Sequence, residues 1–253
     1  IPGIKVDKSG KDLAGSPTEK ITEGLDGLRE RLSEYSALGA QFTKWRAIIT
    51  IGSDIPSNYC IDVNAHALAR YAALSQEAGL VPIVEPEVLM DGDHNIERCY
   101  EVTQTTLREV FYQLAAQRVD VTGILLKPNM VLSGKSSQNR ATPAEVGKYT
   151  VDCFKSVLPP ALPGVVFLSG GQNDEEATVN LNAINQEAKA VGAPWELSFS
   201  YGRGLQAAPL KAWAGSPANA QKAQGVFLHR ALVTSAARQG AYTQEMEREA
   251  AAV

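Results

Sequence analysis

Apolar and polar positions alternate between two rhythms along this chain. Short, branched apolar runs occur at Ile1 to Asp7, Trp45 to Ile51, Leu80 to Leu89, Thr122 to Met130, Gly164 to Leu168 and Trp195 to Tyr201. They read as strands, several of them hydrophobic on both faces as in a parallel sheet. Between them apolar residues recur with helical period. After a polar loop from Lys8 to Gly15, Ser16-Pro17 looks like a helix start with Glu19 in its first turn. Ile21, Leu25, Leu28, Leu32 and Tyr35 then keep the period as far as Gly39. Ser57 or Asn58 caps a helix that runs to Gly79, and a longer one follows Asp91-Gly92-Asp93 to about Arg118. Thr142-Pro143 with Glu145 opens another. Asp174-Glu175-Glu176 opens the next, with three carboxylates where the helix macrodipole favours them. Two helical stretches follow Gly202-Arg203-Gly204. There is no linker, low-complexity segment or internal repeat.

Strict alternation of this kind means a parallel sheet covered by helices, which leaves an open doubly wound sheet or a (β/α)8 barrel. Charges within the strands choose between them. Lys5 and Asp7, Lys44 and Arg46, and Glu85 and Glu87 are each two residues apart, so each pair shares one face of its strand. An open sheet packs helices on both faces and has no place for three charged pairs. A barrel has one, because its inner face opens to solvent at the C-terminal mouth, where active sites sit. The expected fold is therefore α/β, one barrel-type domain over residues 1–253, to which the chain contributes six strand–helix units.

Composition narrows the function. A length of 253 residues with 44% hydrophobic content suffices for one sizeable core of barrel size. A net charge of −4 argues against a nucleic-acid partner held by bulk charge. Pro159, Pro160 and Pro163 interrupt the longest apolar stretch, well short of the ~20 residues of a membrane span. Cys60, Cys99 and Cys153 are odd in number, far apart and lack a CxxC, and so read as reduced, mostly buried thiols.

At the expected mouth, Lys5, Lys44, Arg46, Lys127 and Arg203 face Asp7, Glu85 and Glu87, a surplus of two positive charges. A positive pocket on an acidic protein suits a small anionic substrate, most simply a phosphorylated one. Ser169-Gly170-Gly171 and Gly202-Arg203 follow the last two strands, the usual phosphate position of a barrel, and offer backbone N–H groups as an anion cradle. Lys127 ends the apolar run Thr122–Leu126, and Pro128 stops the strand behind it. Two readings stand at this point. The lysine snorkels out of a strand end, or burial and neighbouring cations destabilise its ammonium and the neutral amine attacks a carbonyl.

Three other signals lead nowhere. Gly202-x-Gly204-x-x-Ala207 imitates a dinucleotide fingerprint, but no Asp or Glu occurs between Gly204 and Gln244, and Pro209 sits badly in the helix that should follow. Gly134-Lys135-Ser136 imitates the end of a P-loop, but Asn129 stands where a glycine is required. His66, His94 and His229 are far apart without metal-site spacing and read as surface, loop or satisfied core histidines.

Several segments match one family in order. They are Gly3–Lys8 (GIKVDK), Gly24–Leu28 (GLDGL), Lys44-Trp45-Arg46, Ile83–Glu87 (IVEPE), Asp91–His94 (DGDH), Leu126–Met130 (LKPNM), Phe167–Gln172 (FLSGGQ), Asn180–Asn185 (NLNAIN), Phe199–Arg203 (FSYGR) and Leu210–Trp213 (LKAW). From Ile1 to about Tyr242 the chain resembles the class I, Schiff-base fructose-1,6-bisphosphate aldolases. The resemblance implies a (β/α)8 barrel of which these are strands 3 to 8, assembly as a homotetramer, a sugar-phosphate substrate, no metal or other cofactor, and a cytoplasmic or plastid location. It implies Lys127 as the Schiff-base lysine, Glu85 as acid/base in carbinolamine dehydration, Lys44 as a second active-site lysine, and Glu87 as a further carboxylate of the catalytic set. Lys5 and Arg46 would support the pocket, Arg46 near the distal phosphate. Ser169, Gly170, Gly202 and Arg203 would bind the ketose C1 phosphate, with Gly171 and Ser200 in the same two loops. The family also has two strands before the one at Ile4, the first carrying a catalytic aspartate, and a C-terminal arm ending in a tyrosine. Neither is in this sequence, so the expectation is a parent chain about 100 residues longer and weak activity for these residues alone. A Schiff-base aldolase or transaldolase-like enzyme on another phosphorylated sugar, or a non-catalytic barrel scaffold, are the rival readings.

Overall fold

Six strands pair in parallel in the order in which the chain lays them down. In the computed structural model, which describes residues 1–248, the elements are β1 (Gly3–Lys5), β2 (Gly10–Leu13), β3 (Ser16–Thr22), α1 (Leu28–Ala37), β4 (Phe42–Ile49), α2 (Asn58–Glu77), β5 (Val81–Val88), α3 (Ile96–Ala116), β6 (Leu125–Leu126), α4 (Pro143–Val157), β7 (Gly164–Phe167), α5 (Asp174–Ala190), β8 (Glu196–Phe199), α6 (Arg203–Trp213) and α7 (Ala220–Arg238). The parallel sheet runs β1-β4-β5-β6-β7-β8. A doubly wound sheet must reverse its order at a switch point. This one never does, which is the winding of a barrel wall. Among the described residues β1 and β8 each have one neighbour in that sheet.

β4 shows why the wall has two chemically different faces. Its residues alternate strictly between buried and half-buried. Thr43, Trp45, Ala47 and Ile49 are buried, and Thr43 and Trp45 reach α2. The Thr43 hydroxyl lies 3.0 Å from Tyr71 Oη and 2.9 Å from Ser75 Oγ, and Trp45 stacks on Tyr71 at 5.6 Å between centroids. Lys44 and Arg46 are thereby left on the opposite face, away from the helices.

Helix starts follow local sequence. Ser57, Asn95, Thr142 and Asn173 cap α2, α3, α4 and α5 with their side chains. Thr142 and Glu145 form a reciprocal capping box. All three cysteines are buried and unpaired with one another. Burial pushes the Cys60 and Cys153 thiols up to about 12.

The helix expected from Ser16 to Gly39 is largely wrong. Ser16–Thr22 is a strand that pairs antiparallel with β2, and the helix occupies only Leu28–Ala37. Gly24 and Gly27 hold φ values of 129° and 63°, which no continuous helix allows. Glu19, 1% exposed, does not support a first turn of its own segment. Its carboxylate instead accepts hydrogen bonds from Ser57 N at 2.7 Å, Ser57 Oγ at 2.6 Å and Ser16 Oγ at 2.8 Å. The hairpin is thus fastened to the start of α2. Pro209 was expected to disfavour a helix, yet it lies inside α6. The ring forfeits one backbone bond, and packing of α6 against α7 keeps the helix continuous. The strand expected to run to Met130 is only Leu125–Leu126, preceded by a 3-10 turn at Val121–Gly123. Of the divergent tail, Gln244–Glu247 forms a 3-10 turn, and residues 249–253 lie outside the described residues.

Burial alone would raise the Glu19 pKa, but the bonds from Ser57 and Ser16 outweigh it and hold the carboxyl below its ordinary value. A depressed carboxylate contributes stability above its unfolded pKa, and that contribution fades as pH falls through the folded one. Glu19→Gln is therefore expected to cost about 1–2 kcal/mol at pH 7. In urea titrations the gap between the two proteins should close below about pH 4. A gap that stays constant with pH would contradict an ionised Glu19.

Candidate active site

The charged face of the wall gathers into one cluster. Lys127 Nζ lies 3.3 Å from Glu85 Oε1, and Lys44 Nζ lies 2.7 Å from Glu85 Oε2. One carboxylate therefore stands between two lysines. Its side chain is 4% exposed, against 12% for Lys127 and 19% for Lys44, so all three charges are shielded from water and each depends on the others. The Lys44 contact is an ion pair outside hydrogen-bond alignment. Next along the wall Arg46 Nε donates to Glu87 Oε2. At the edge strand the Asp7 carboxylate pairs with Lys5 Nζ at 2.5 Å and accepts from Ser9 N at 3.1 Å and Arg46 N at 3.1 Å, while Lys5 Nζ donates to Asp7 O at 3.2 Å. Asp7 thus ties the end of β1 to β4.

Register explains these pairings. Lys5 stands opposite Lys44, Lys44 opposite Ile83 and Arg46 opposite Glu85. Yet Lys44 reaches Glu85, and Arg46 reaches Glu87. Each basic side chain leans two residues toward the C-terminal end of β5, to the next position on the same face. Lys5 and Lys44, two like charges side by side, separate by turning to different carboxylates, Asp7 and Glu85. Lys127 extends the β5–β6 register, with its N–H on Val84 O at 2.7 Å, which places it beside Glu85.

The loops after β7 and β8 form a second group. Arg203 Nη2 donates to Gly170 O at 2.6 Å, and Ser200 N donates to Phe167 O at 2.8 Å. Among the described residues no carboxylate pairs with Arg203. Gly202 begins α6 with no side-chain cap, whereas α2 to α5 are all capped. Leu205 N in its first turn donates to Gly202 O at 3.1 Å, while the Arg203 and Gly204 N–H groups have no backbone acceptor among the described residues. Gly170 takes the left-handed conformation at φ 59°. Glycine at 204 lets α6 approach closely, because a Cβ there would meet Ser169 Cβ at 3.1 Å. Gly171 packs on Met90 in the same way. No hydrogen bond or ion pair joins Lys127 directly to Arg203. The two groups are tied through the main chain, by Leu168 N on Pro128 O at 3.3 Å.

The histidines stand apart from this cluster. His94 lies in the loop before α3, one of the positions expected for it; both ring nitrogens are buried without a partner among the described residues, and burial lowers its pKa. No group of three His, Cys, Asp or Glu among the described residues could hold a metal ion.

The family model described as fructose-bisphosphate aldolase class-I matches residues 1–253. The chain belongs to the class I fructose-bisphosphate aldolase family. It is 59% identical over 232 residues to a protein of Xanthomonas campestris pv. campestris named probable fructose-bisphosphate aldolase class 1, covering 91% of this chain and 69% of that one. It is 52% identical over 243 residues to Arabidopsis thaliana fructose-bisphosphate aldolase 4, cytosolic, covering 96% of this chain and 61% of that protein. The chain thus spans about three fifths to two thirds of these relatives. Among solved structures, the aldolase of Plasmodium falciparum, crystallised with TRAP and a small-molecule inhibitor, superposes with a TM-score of 0.93 at 50% identity, covering 96% of this chain and 70% of that one. That likeness establishes the fold as the larger part of an aldolase barrel.

In this aldolase chain the charge pattern of β1, β4 and β5 put Lys5, Lys44, Arg46, Glu85 and Glu87 on one face of the wall, where their ion pairs form. Two buried amides escaped it, Asn129 beside the lysine and Gln172 beside the glycine loop. Gln172 Nε2 donates to Ser169 O at 3.2 Å, and its Oε1 accepts from Asn180 Nδ2 at 2.7 Å. The available signal was Pro86, which lacks an N–H where the ladder between β5 and β6 would continue.

Proposed function

We propose that this chain carries the catalytic wall of an enzyme that reversibly cleaves fructose 1,6-bisphosphate into dihydroxyacetone phosphate and glyceraldehyde 3-phosphate through a Schiff base on Lys127. The observation that carries this is the carboxylate of Glu85 set between two buried lysines. Lys44 Nζ is the closer of the two to the carboxylate, and Lys127 Nζ is farther from it and its side chain more buried.

The neutral Lys127 amine adds to the C2 carbonyl to give a carbinolamine. Glu85, adjacent to Nζ, delivers the proton with which the hydroxyl leaves as water. The resulting iminium is a positive electron sink. Glu85, ionised once it has given up that proton, takes the proton of the C4 hydroxyl as the C3–C4 bond breaks; the bond's electron pair moves into the iminium as an enamine, and the aldehyde departs. Protonation at C3 and hydrolysis then release the ketone phosphate and regenerate the lysine. Glu87 and Arg46 brace the wall beside Glu85, and Lys44 keeps a positive charge by the reacting oxygens. Arg203, the open α6 N-terminus, Ser169, Gly170, Gly171 and Ser200 form the site for the C1 phosphate, while Lys5 and Arg46 lie toward the other phosphate.

A sugar phosphate fits the excess of cations here. Assembly as a homotetramer belongs to the same reading and is supported by the half-exposed Tyr59 and the exposed Tyr112 on α2 and α3, aromatic area of the kind interfaces cover. A cytoplasmic location is supported by the cytosolic Arabidopsis relative. A chloroplastic relative from the same plant, 50% identical over 251 residues, makes the plastid the alternative. No helix among the described residues is long and apolar enough to cross a membrane.

The test is reduction with borohydride in the presence of dihydroxyacetone phosphate, followed by peptide mapping of the full chain. A substrate-dependent adduct on Lys127 is expected. Absence of any adduct would favour a scaffold, and an adduct on Lys44 would reverse the two lysines' roles.

A further inference from the structure

The parallel ladder between β5 and β6 stops after Ile83↔Leu125 and Val84↔Leu126. It stops there because Pro86, whose backbone faces β6, has no N–H to donate to Lys127 O, while Pro128 faces β7 and accepts from Leu168 N. Beyond that point β5 still carries both catalytic carboxylates, Glu85 and Glu87, and the other strand carries Lys127. Lys127 N still donates to Val84 O at 2.7 Å, but past it no main-chain bond joins β5 to the chain beyond Lys127.

A side chain takes over. Asn129, 4% exposed, accepts from Val88 N through Oδ1 at 3.1 Å. Its Nδ2 donates to Thr103 Oγ1 on α3 at 3.0 Å and to Met130 O at 3.0 Å. Val88 directly follows Glu87, and Asn129 lies two residues beyond Lys127. One amide thus clamps the carboxylate strand, the nucleophile strand and the helix behind them, with both of its polar ends satisfied. It makes no hydrogen bond to Ser169, Gly202 or Arg203.

We infer that Asn129 is a positioning residue for the aldol reaction: its amide replaces the missing ladder bond and holds Glu85 and Glu87 at working distance from Lys127. This rests on the Schiff-base reading above. Misplacement by about 1 Å at a reacting centre costs on the order of 10²-fold in rate. The phosphate loops are untouched, so substrate binding should survive.

Asn129→Leu keeps the volume and removes the amide. In the full chain, folded by circular dichroism and urea titration, kcat and the rate of borohydride trapping on Lys127 are expected to fall about 30- to 100-fold, with KM within about threefold. Thr103→Val removes only the acceptor on α3, and is expected to lower the same two rates by about three- to tenfold without moving KM. It serves as the deciding variant if Asn129→Leu does not fold. Rates within twofold of the parent in either folded variant, or a loss confined to KM, would overturn the inference. If the parent protein itself traps no substrate, the Schiff-base reading fails instead, and the two failures are told apart.

Discussion

Lys127→Met is expected to lower turnover of fructose 1,6-bisphosphate by a factor on the order of 10⁵, about 7 kcal/mol of transition-state stabilisation. On the proposed mechanism the Lys127 amine makes the covalent bond to the substrate, and Lys44, 2.7 Å from Glu85, serves as a fixed positive charge. The substitution should leave the fold almost intact. Glu85 keeps Lys44 at 2.7 Å, so no buried charge is stranded, and methionine fills the stem of the lysine. Steady-state assays and borohydride trapping would check this, with no adduct and an unchanged urea midpoint expected. Residual turnover above about 1% of the parent would mean that Lys44 does the chemistry. The rate, not KM, should carry the loss, since the phosphate loops are elsewhere in the site.

Glu85→Gln is expected to behave differently on both counts. Activity should fall by about 10²- to 10⁴-fold, the range for loss of a positioned acid/base. Trapping of the Lys127 adduct should slow in parallel rather than vanish, because the nucleophile remains and only dehydration of the carbinolamine loses its proton source. Stability should fall as well. Removing this carboxylate leaves two lysines facing each other with little water, where breaking a fully buried pair costs about 3–5 kcal/mol. Lys44 and Lys127 keep 19% and 12% of their side-chain exposure, so a loss of about 2 kcal/mol is the discounted expectation. Urea unfolding of the two variants side by side gives the check. A Glu85→Gln protein as stable as Lys127→Met would mean that Glu85 is not the shared counterion of both lysines.

The contrast between these variants comes from the wall's geometry, much of which was legible in one dimension. Period-two charge pairs on three strands announced a polar inner face, and β4 alternates as that pattern requires. Caps at Ser57 and Thr142 could be placed or bracketed from residue type alone, because a cap is a bond between groups three residues apart. The misjudged stretch, Ser16 to Gly27, shows the limit. Its apolar spacing is helical, and what overrides it is distant: Glu19 bonded to Ser57, Thr22 Oγ1 donating to Arg46 O at 2.8 Å, and Asn64 Nδ2 donating to Lys20 O at 2.8 Å. Periodicity reports which residues seek burial, and both a hairpin and a helix can satisfy the same four-residue interval when the partner surface is supplied by another element.

By itself, then, the order of residues determined the strand–helix alternation, the face on which each charge lies, the strand stop at Pro128 and the surplus of positive charge. These depend on backbone period and on bonds between near neighbours. Only the tertiary structure decided which carboxylate serves which cation. Lys44 and Arg46 each reach one same-face step beyond their register partner on β5, and the Asn129 side chain bonds Val88 N past the gap that Pro86 leaves. Such contacts depend on how adjacent strands are staggered and how far side chains lean across them, quantities set by packing of the whole wall against its helices.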